Sequence, residues 1–540
     1  MGRGINMGHS GPRRHTRREF LQYSLGAVAA VGAGSVLEAC GSSTAPTANS
    51  SPSGAGSKPK RGGTLRAGLS GGGSSDTLDG DACVENVDFA RAPQLYNEVI
   101  EGDLDDIAKL SLAEEISSNK NATEWTIRLK KGITFHDGKP LTSEDVLFTM
   151  QRIVSKNFSG ALGLAPVDLK NVKLVDSLTL TIPCHTPYST FPFAMTNAGE
   201  QSIVPTNYNP KKPVGTGPFM YKSFTPGQQS VFVKNPNYWE DGADGKPLPY
   251  LDEVVITDYS DETSQVNALI SGTVDCIDLL SYSSIAPLQN GGMSHLVSKG
   301  GGWVPFTMRV DVAPFNEVDV RQAFRLLVDR PQMLEHVFGG FGTIGNDIFG
   351  IEDPEYDHSI PQRVQDIAQA KFLLNKHHLL PLKVTCITGP IHQGAVEAAT
   401  VFAQQASAAN VTVALQQTTV TEYYGSNYLK WVFAQDWWGS DYYLPQVSFA
   451  TLPHATWNET HFSDPHYTSL YQQALATTDK AKQTEIVHEM CMIDYTQGGY
   501  IIPFFAPTID CYSPKLVGPL PAKTGTSLSN YWFKNFWFKS

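Results

Sequence analysis

Asp436 and Asp441 bracket two tryptophans in the stretch AQDWWGSDYYLP, residues 434–445. Two carboxylates beside aromatic rings fit two chemistries. One is glycoside hydrolysis, in which two acids flank a bond and a ring stacks on sugar. The other is capture of a cation, in which one carboxylate supplies charge-assisted hydrogen bonds and the rings add cation–π attraction of about 0.5–2 kcal/mol. Nothing in the sequence fixes the separation of Asp436 and Asp441, so spacing alone does not support catalysis.

Other chemical patterns fail on context. Gly68-Leu69-Ser70-Gly71-Gly72 has nucleophile-elbow spacing, but three glycines follow Ser70 where that turn requires a helix. Gly340 to Gly345 has dinucleotide-loop spacing but follows the helix-like run MLEHVF and not a strand. His377 and His378 are neighbours and point in different directions on any regular element. Six cysteines, at 83, 184, 276, 386, 491 and 511, are scattered without a CxxC pair, so zinc spacing is absent and their pairing stays open. No metal and no cofactor is expected.

The elements around 434–445 explain how it is positioned. LKVTCIT (382–388) and VTVALQQ (411–417) read as strands, with an alanine-rich helix over about 391–409 between them. That is a crossover unit with parallel pairing. A second helical region at about 421–430 leads into VFAQD (432–436), so the aromatic stretch begins at a strand's C-terminal end. Ligands of open α/β sheets bind there. Elsewhere, GGTLRAGL (62–69) and EWTIRLKKGITF (124–135) read as strands, and Thr142 to Asp145 opens a helix with a capping box. TSQVNALISGTVDCI (263–277) reads as a helix stopped at Gly272 and then a strand.

The N-terminus carries an address. Arg13, Arg14, Arg17 and Arg18 precede an apolar stretch with small residues, 20–37, which is an export signal. Thr16-Arg17-Arg18-Glu19-Phe20-Leu21 resembles the twin-arginine type, and Leu37-Glu38-Ala39-Cys40 resembles a bacterial lipobox with Cys40 as the lipid-bearing residue. Residues 41–60 hold no large apolar side chain and read as a tether reaching about 25 Å on average. The chain is −12 overall; residues 1–39 hold five Arg and two Glu, which leaves −15 on the remainder. That balance excludes nucleic acid as a partner. Residues 61–540 are long enough for two or three domains.

Five stretches occur in one order: WTIRLKKGITFHDGKPLTSEDVLFTMQRI (125–153), VGTGPF (214–219), KNPNYW (234–239), FNEVDVRQAFRLLVDRPQML (315–334) and DWWGSDYYLP. Together they resemble the solute-binding proteins of ABC importers that include the dipeptide and oligopeptide binders. The resemblance covers the whole body from about residue 61. It implies an α/β periplasmic-binding-protein-like fold, with two main lobes around a cleft and a third, inserted lobe. Lobe I would comprise 61–95, 205–305 and 500–540, lobe II 96–204, and lobe III 306–499. VGTGPF would be a glycine-rich turn and 315–334 a surface helix. The family's peptide binders hold the peptide amino group with an aspartate in W-x-x-D-Y-x-[DE]-P. Trp438, Asp441, Tyr442 and Pro445 fit that pattern, and Leu444 stands where the pattern has an acid.

The resemblance therefore implies a monomeric, extracytoplasmic, lipid-anchored receptor that does no chemistry. It would deliver di- or oligopeptides to ABC permease subunits at the membrane, with Asp441, Trp438, Trp437 and Tyr442 on the ligand. Members of the family also take nickel complexes, haem or oligosaccharides, and nine Trp, 21 Tyr and 26 Phe leave sugar stacking open. A secreted glycoside or peptide hydrolase is the reading from another class.

Overall fold

A computed structural model describes residues 58–196 and 199–539. The export signal, Cys40 and nearly all of the tether lie outside the described residues.

Three sheets organise the molecule. The largest has seven strands, in the order Ser294–Ser298, Thr508–Tyr512, Cys276–Ile277, Thr64–Ser70, Glu253–Tyr259, Gln229–Lys234, Phe219–Thr225. Thr64–Ser70 lies at its centre, parallel to Glu253–Tyr259, and buries Leu65, Ala67 and Leu69 completely. The alternation expected of a half-buried strand is thus present, with one face in the core.

A second sheet has four antiparallel strands, Ala113–Ser118, Glu124–Leu129, Thr179–Pro183 and Lys173–Leu174. Trp125, Ile127 and Leu129 face its core, as the alternation predicts. The strand stops at Leu129, before 130–135, because a turn at Lys131-Gly132 follows, with Gly132 at φ +82°. Helix Ser143–Lys156 then starts as expected. Asp145 accepts from the backbone N–H of Thr142 at 2.9 Å and closes the capping box.

The third sheet has the order Val411–Gln417, Leu382–Thr388, Phe433–Gln435, Phe306–Met308, Tyr500–Ile501. Leu382–Thr388 pairs in parallel with Val411–Gln417 and with Phe433–Gln435, so the crossover unit is real. Its helix runs Ala395–Ser407 and covers the sheet with Ala398, Ala399, Phe402 and Ala406. Only one helical turn, Val420–Tyr423, forms where a longer helix over 421–430 is expected; Tyr423, Tyr424, Tyr428 and Trp431 pack there as a ring cluster in turns.

The stretch 315–334 is not one surface helix. Val318–Leu326 and Arg330–Phe338 are separate helices, and they bury Arg321, Arg325 and Arg330. Asp347 supplies the counter-charge, at 2.7 Å from both Arg330 and Arg363. Gly215 and Gly217 of VGTGPF lie against the backbone of Leu95 and Tyr96, and a Cβ on either would overlap the Leu95 carbonyl. Close approach, not a left-handed turn, is why glycine stands there. The six cysteines at 83, 184, 276, 386, 491 and 511 are all free thiols. Among the described residues no helix is long and apolar enough to cross a membrane.

Candidate functional site

The chain passes between the seven-stranded and five-stranded sheets at two places, 299–305 and 502–507. These segments run side by side. Ala506 donates its N–H to Gly302 O at 2.7 Å, and Trp303 bridges to Phe505. Gly300, Gly301 and Gly302 let the crossing pass close to its neighbours; a Cβ on Gly300 would overlap Gly525 and one on Gly301 would overlap Ser440. Two adjacent crossings of this kind make a hinge.

The aromatic stretch lies on that hinge. Phe433–Gln435 ends at Gln435, and the chain then runs alongside the crossing. Trp438 and Trp303 exchange both backbone hydrogen bonds, each at 2.9 Å. Their rings stack at 5.9 Å. Trp438 is 7% exposed, and its indole N–H donates to Glu459 Oε1 at 3.1 Å. Phe349, Tyr443, Trp457 and Tyr500 complete this buried aromatic cluster. Trp438 is therefore a packing residue of this cluster.

Asp436 is buried too. It accepts from Tyr424 Oη at 2.8 Å and from Tyr428 Oη at 3.1 Å. Those phenols hold its carboxylate within the fold. Trp437 is half-buried and stacks on the His392 ring at 5.2 Å. Leu444 points into the aromatic cluster beside Tyr443, at 3% exposure. The one departure from the family pattern is thus a core position.

Asp441 is different. It is half-buried and accepts the N–H of Tyr442 at 2.9 Å, and no cation among the described residues pairs with it. Protein encloses the carboxyl on most sides. That burial holds its pKa well above the usual carboxylate range, and the negative charges of Asp106, Glu200 and Asp353 push the same way. Asp106 itself is raised to about 7, by burial first and then by Asp353 and Glu352. The surroundings of Asp441 are therefore acidic, and its carboxyl has no resident cation among the described residues to hold it ionised. A ligand ammonium or guanidinium would repair that deficit.

Sequence reasoning missed the residues that surround Asp441 and Tyr442. Asp106 sits at the tip of the hairpin formed by Ile100–Gly102 and Ala108–Leu110, and Phe193, whose ring stacks on Tyr442, lies on the short helix Phe191–Ala194. Both are more than 200 positions from Asp441, and no local pattern marks them. The run Gly300-Gly301-Gly302 was the one signal that could have located the hinge.

This geometry, two α/β lobes joined by a double crossing with an acidic cleft at the joint, defines a solute-binding protein. Residues 108–460 match the profile of the bacterial extracellular solute-binding proteins, family 5 Middle, and the chain belongs to that family. It is 26% identical over 371 residues to the oligopeptide-binding protein AppA of Bacillus subtilis, covering 62% of this chain and 64% of that protein. It is 28% identical over 318 residues to heme-binding protein A of Haemophilus influenzae, covering 53% and 56%. The chain thus spans somewhat under two thirds of the length of each of these relatives. Among solved structures, the periplasmic binding protein DppA of Helicobacter pylori in complex with the peptide STSA superposes with a TM-score of 0.71. The match covers 89% of this chain and 99% of that one at 18% identity. These relatives are binding proteins, not enzymes. Among the described residues no His, Cys, Asp and Glu cluster is arranged to hold a metal.

Proposed function

We propose that this chain is the extracytoplasmic receptor of an ABC importer and that it captures di- or oligopeptides in the cleft between its two main lobes. In this reading Asp441 takes the peptide amino group, and the half-buried faces of Trp437 and Tyr442 form the walls. Trp438 supports them from behind. The lobes run 61–95, 205–305 and 500–540 for lobe I, 96–204 for lobe II, and 306–499 for lobe III. Cys40 carries the lipid after export, the tether leads to a monomeric body, and permease subunits receive the solute.

The observation that carries the reading is Asp441: an enclosed carboxylate without a cation partner among the described residues, on the segment that follows strand Phe433–Gln435 past the crossing. Desolvating an ammonium is costly unless a fixed opposite charge meets it. The peptide-bound fold relative and the oligopeptide-binding relative support the same ligand class. The haem-binding relative supports a second one.

Mass spectrometry of solute released from the purified mature protein distinguishes them. Peptides with free amino termini are expected. Recovery of a tetrapyrrole with its absorption band, and of no peptide, would overturn the peptide assignment.

A further inference from the structure

We propose that Tyr442 is a positioning residue, which ties lobe II to lobe III across the cleft and so sets how long ligand is held at Asp441. The proposal rests on the reading of Asp441 as the ligand carboxylate.

Tyr442 reaches across the cleft twice. Its ring stacks on Phe193 of lobe II, with centroids 4.3 Å apart and planes 26° from parallel. Its phenol O–H donates to the carbonyl of Asp106, also in lobe II. The residue is only half-buried. Its own N–H is held by Asp441 Oδ1 at 2.9 Å. A pull on the phenol is therefore transmitted through one residue to the binding carboxylate.

The acceptor is built for this role. Asp106 adopts φ +62°, the left-handed region. That turns its carbonyl outward from the hairpin tip. Asp103 Oδ1 fixes the turn by accepting the N–H groups of Asp105 and Ile107, each at 2.9 Å. Lobe I holds the same tip, through Lys523 N–H on Leu104 O at 2.8 Å. The tip thus meets both other lobes.

The second seam between lobes II and III is of another kind. Ser189 donates its N–H to Leu475 O and its Oγ to Ala474 O, each at 3.0 Å, and accepts from Gln483 at 2.8 Å. These bonds finish the C-terminal end of helix Pro465–Leu475. The hydrogen bonds of the Ser189 seam go to Leu475, Ala474 and Gln483, whereas the Tyr442 seam is bonded from within 434–445 itself.

Tyr442→Phe keeps the ring and the Phe193 stack and removes only the hydroxyl. Hydrogen–deuterium exchange of the ligand-free mature protein reads the tie directly. Amides of residues 103–107 should exchange about three- to tenfold faster in the variant, with those of 382–388 unchanged, as expected for one lost hydrogen bond. Unaltered exchange at 103–107 would overturn the proposal. Stopped-flow binding of trialanine supplies the functional readout. Dissociation should accelerate about three- to tenfold with the association rate within about twofold of wild type. Unchanged dissociation would equally overturn it. If trialanine fails to bind the wild type, the peptide assignment is what fails, and the exchange measurement still decides the role of Tyr442. Phe193→Leu should speed exchange at 103–107 as well; a Phe193→Leu protein with wild-type exchange there would remove the ring stack from the proposal.

Discussion

Trp303 and Trp438 exchange both backbone hydrogen bonds at 2.9 Å and stack their rings at 5.9 Å, which fastens the 434–445 stretch to one of the two chain crossings between the sheets. Under the proposed function this pairing would couple lobe motion to the site at the backbone level. Trp438→Ala would remove a buried ring from between Trp303 and Trp457 and the indole hydrogen bond to Glu459. The expected loss is about 3–5 kcal/mol of stability, read as a shift in the urea midpoint. Trp438→Phe should retain most of the packing and lose roughly 1 kcal/mol for the indole bond. Equal losses in the two variants would contradict a packing role for the ring.

In the proposed function Asp441 supplies the charge that meets the ligand cation. Asp441→Asn preserves shape and the Tyr442 N–H bond while deleting the charge. Affinity for a free-amino peptide should fall at least about tenfold, with little change for its N-acetylated form. Binding also has a proton linkage. Burial and then Asp106 raise the Asp441 pKa, so the empty cleft favours the protonated acid, and a bound cation favours the carboxylate. Protons are therefore released on binding, and affinity rises with pH until Asp441 is ionised in the empty protein. Isothermal titration calorimetry in buffers of different ionisation enthalpy checks the sign; net proton uptake would rule it out.

How much of this was legible in the sequence depends on whether the cause is local. The strands 382–388 and 411–417 alternate or run apolar within their own length, and their bounds match the expected ones. The capping box at Thr142 is equally local. The candidate site was half legible. Asp441 stands in a recognisable pattern shortly after a strand, but Asp106 and Phe193 come to Asp441 and Tyr442 through tertiary structure alone. The same limit explains why Trp437 and Trp438 looked alike in sequence. One lies half-buried against His392 and the other in the core, because a residue-by-residue alternation at the strand end sends adjacent rings opposite ways. Residues 421–430 were misjudged for a related reason. Four rings pack there better as turns than as a helix.

Asp347 holds three guanidinium groups in the core. It is wholly buried and accepts from Arg330 at 2.7 and 2.8 Å and from Arg363 at 2.7 Å, with Arg325 at 3.9 Å. Burial opposes its charge, but Arg330, Arg363 and Arg325 outweigh it and hold the pKa below the usual range. Asp347→Asn would leave buried cations uncompensated. A loss of about 3–5 kcal/mol is expected, measured by urea unfolding at pH 7. Asp311 pairs with Arg309 on the surface, and Asp311→Asn should cost under about 1 kcal/mol.

Asp494 sets an opposite trend with pH. It is buried, accepts from the phenols of Tyr443 at 2.5 Å and Tyr467 at 3.0 Å, and has its pKa raised to about 7, chiefly by burial. In the unfolded chain the same group titrates near its ordinary value of 3.8. Between about pH 4 and 7 the folded state therefore binds more protons than the unfolded one. The contribution of Asp494 to stability is greatest at the acidic end of that window and falls as pH rises through it. Asp510, also buried and raised to about 7, acts in the same direction. Asp494→Asn removes one ionisable group and keeps an acceptor for the two phenols. Urea midpoints at pH 4.5 and 7.5 should differ less in the variant than in the wild type, and the variant should gain relative stability at pH 7.5. A wild-type midpoint that rises across this window, with the variant following it in parallel, would mean that Asp494 is ionised in the fold, with Arg325 and the phenols compensating its burial.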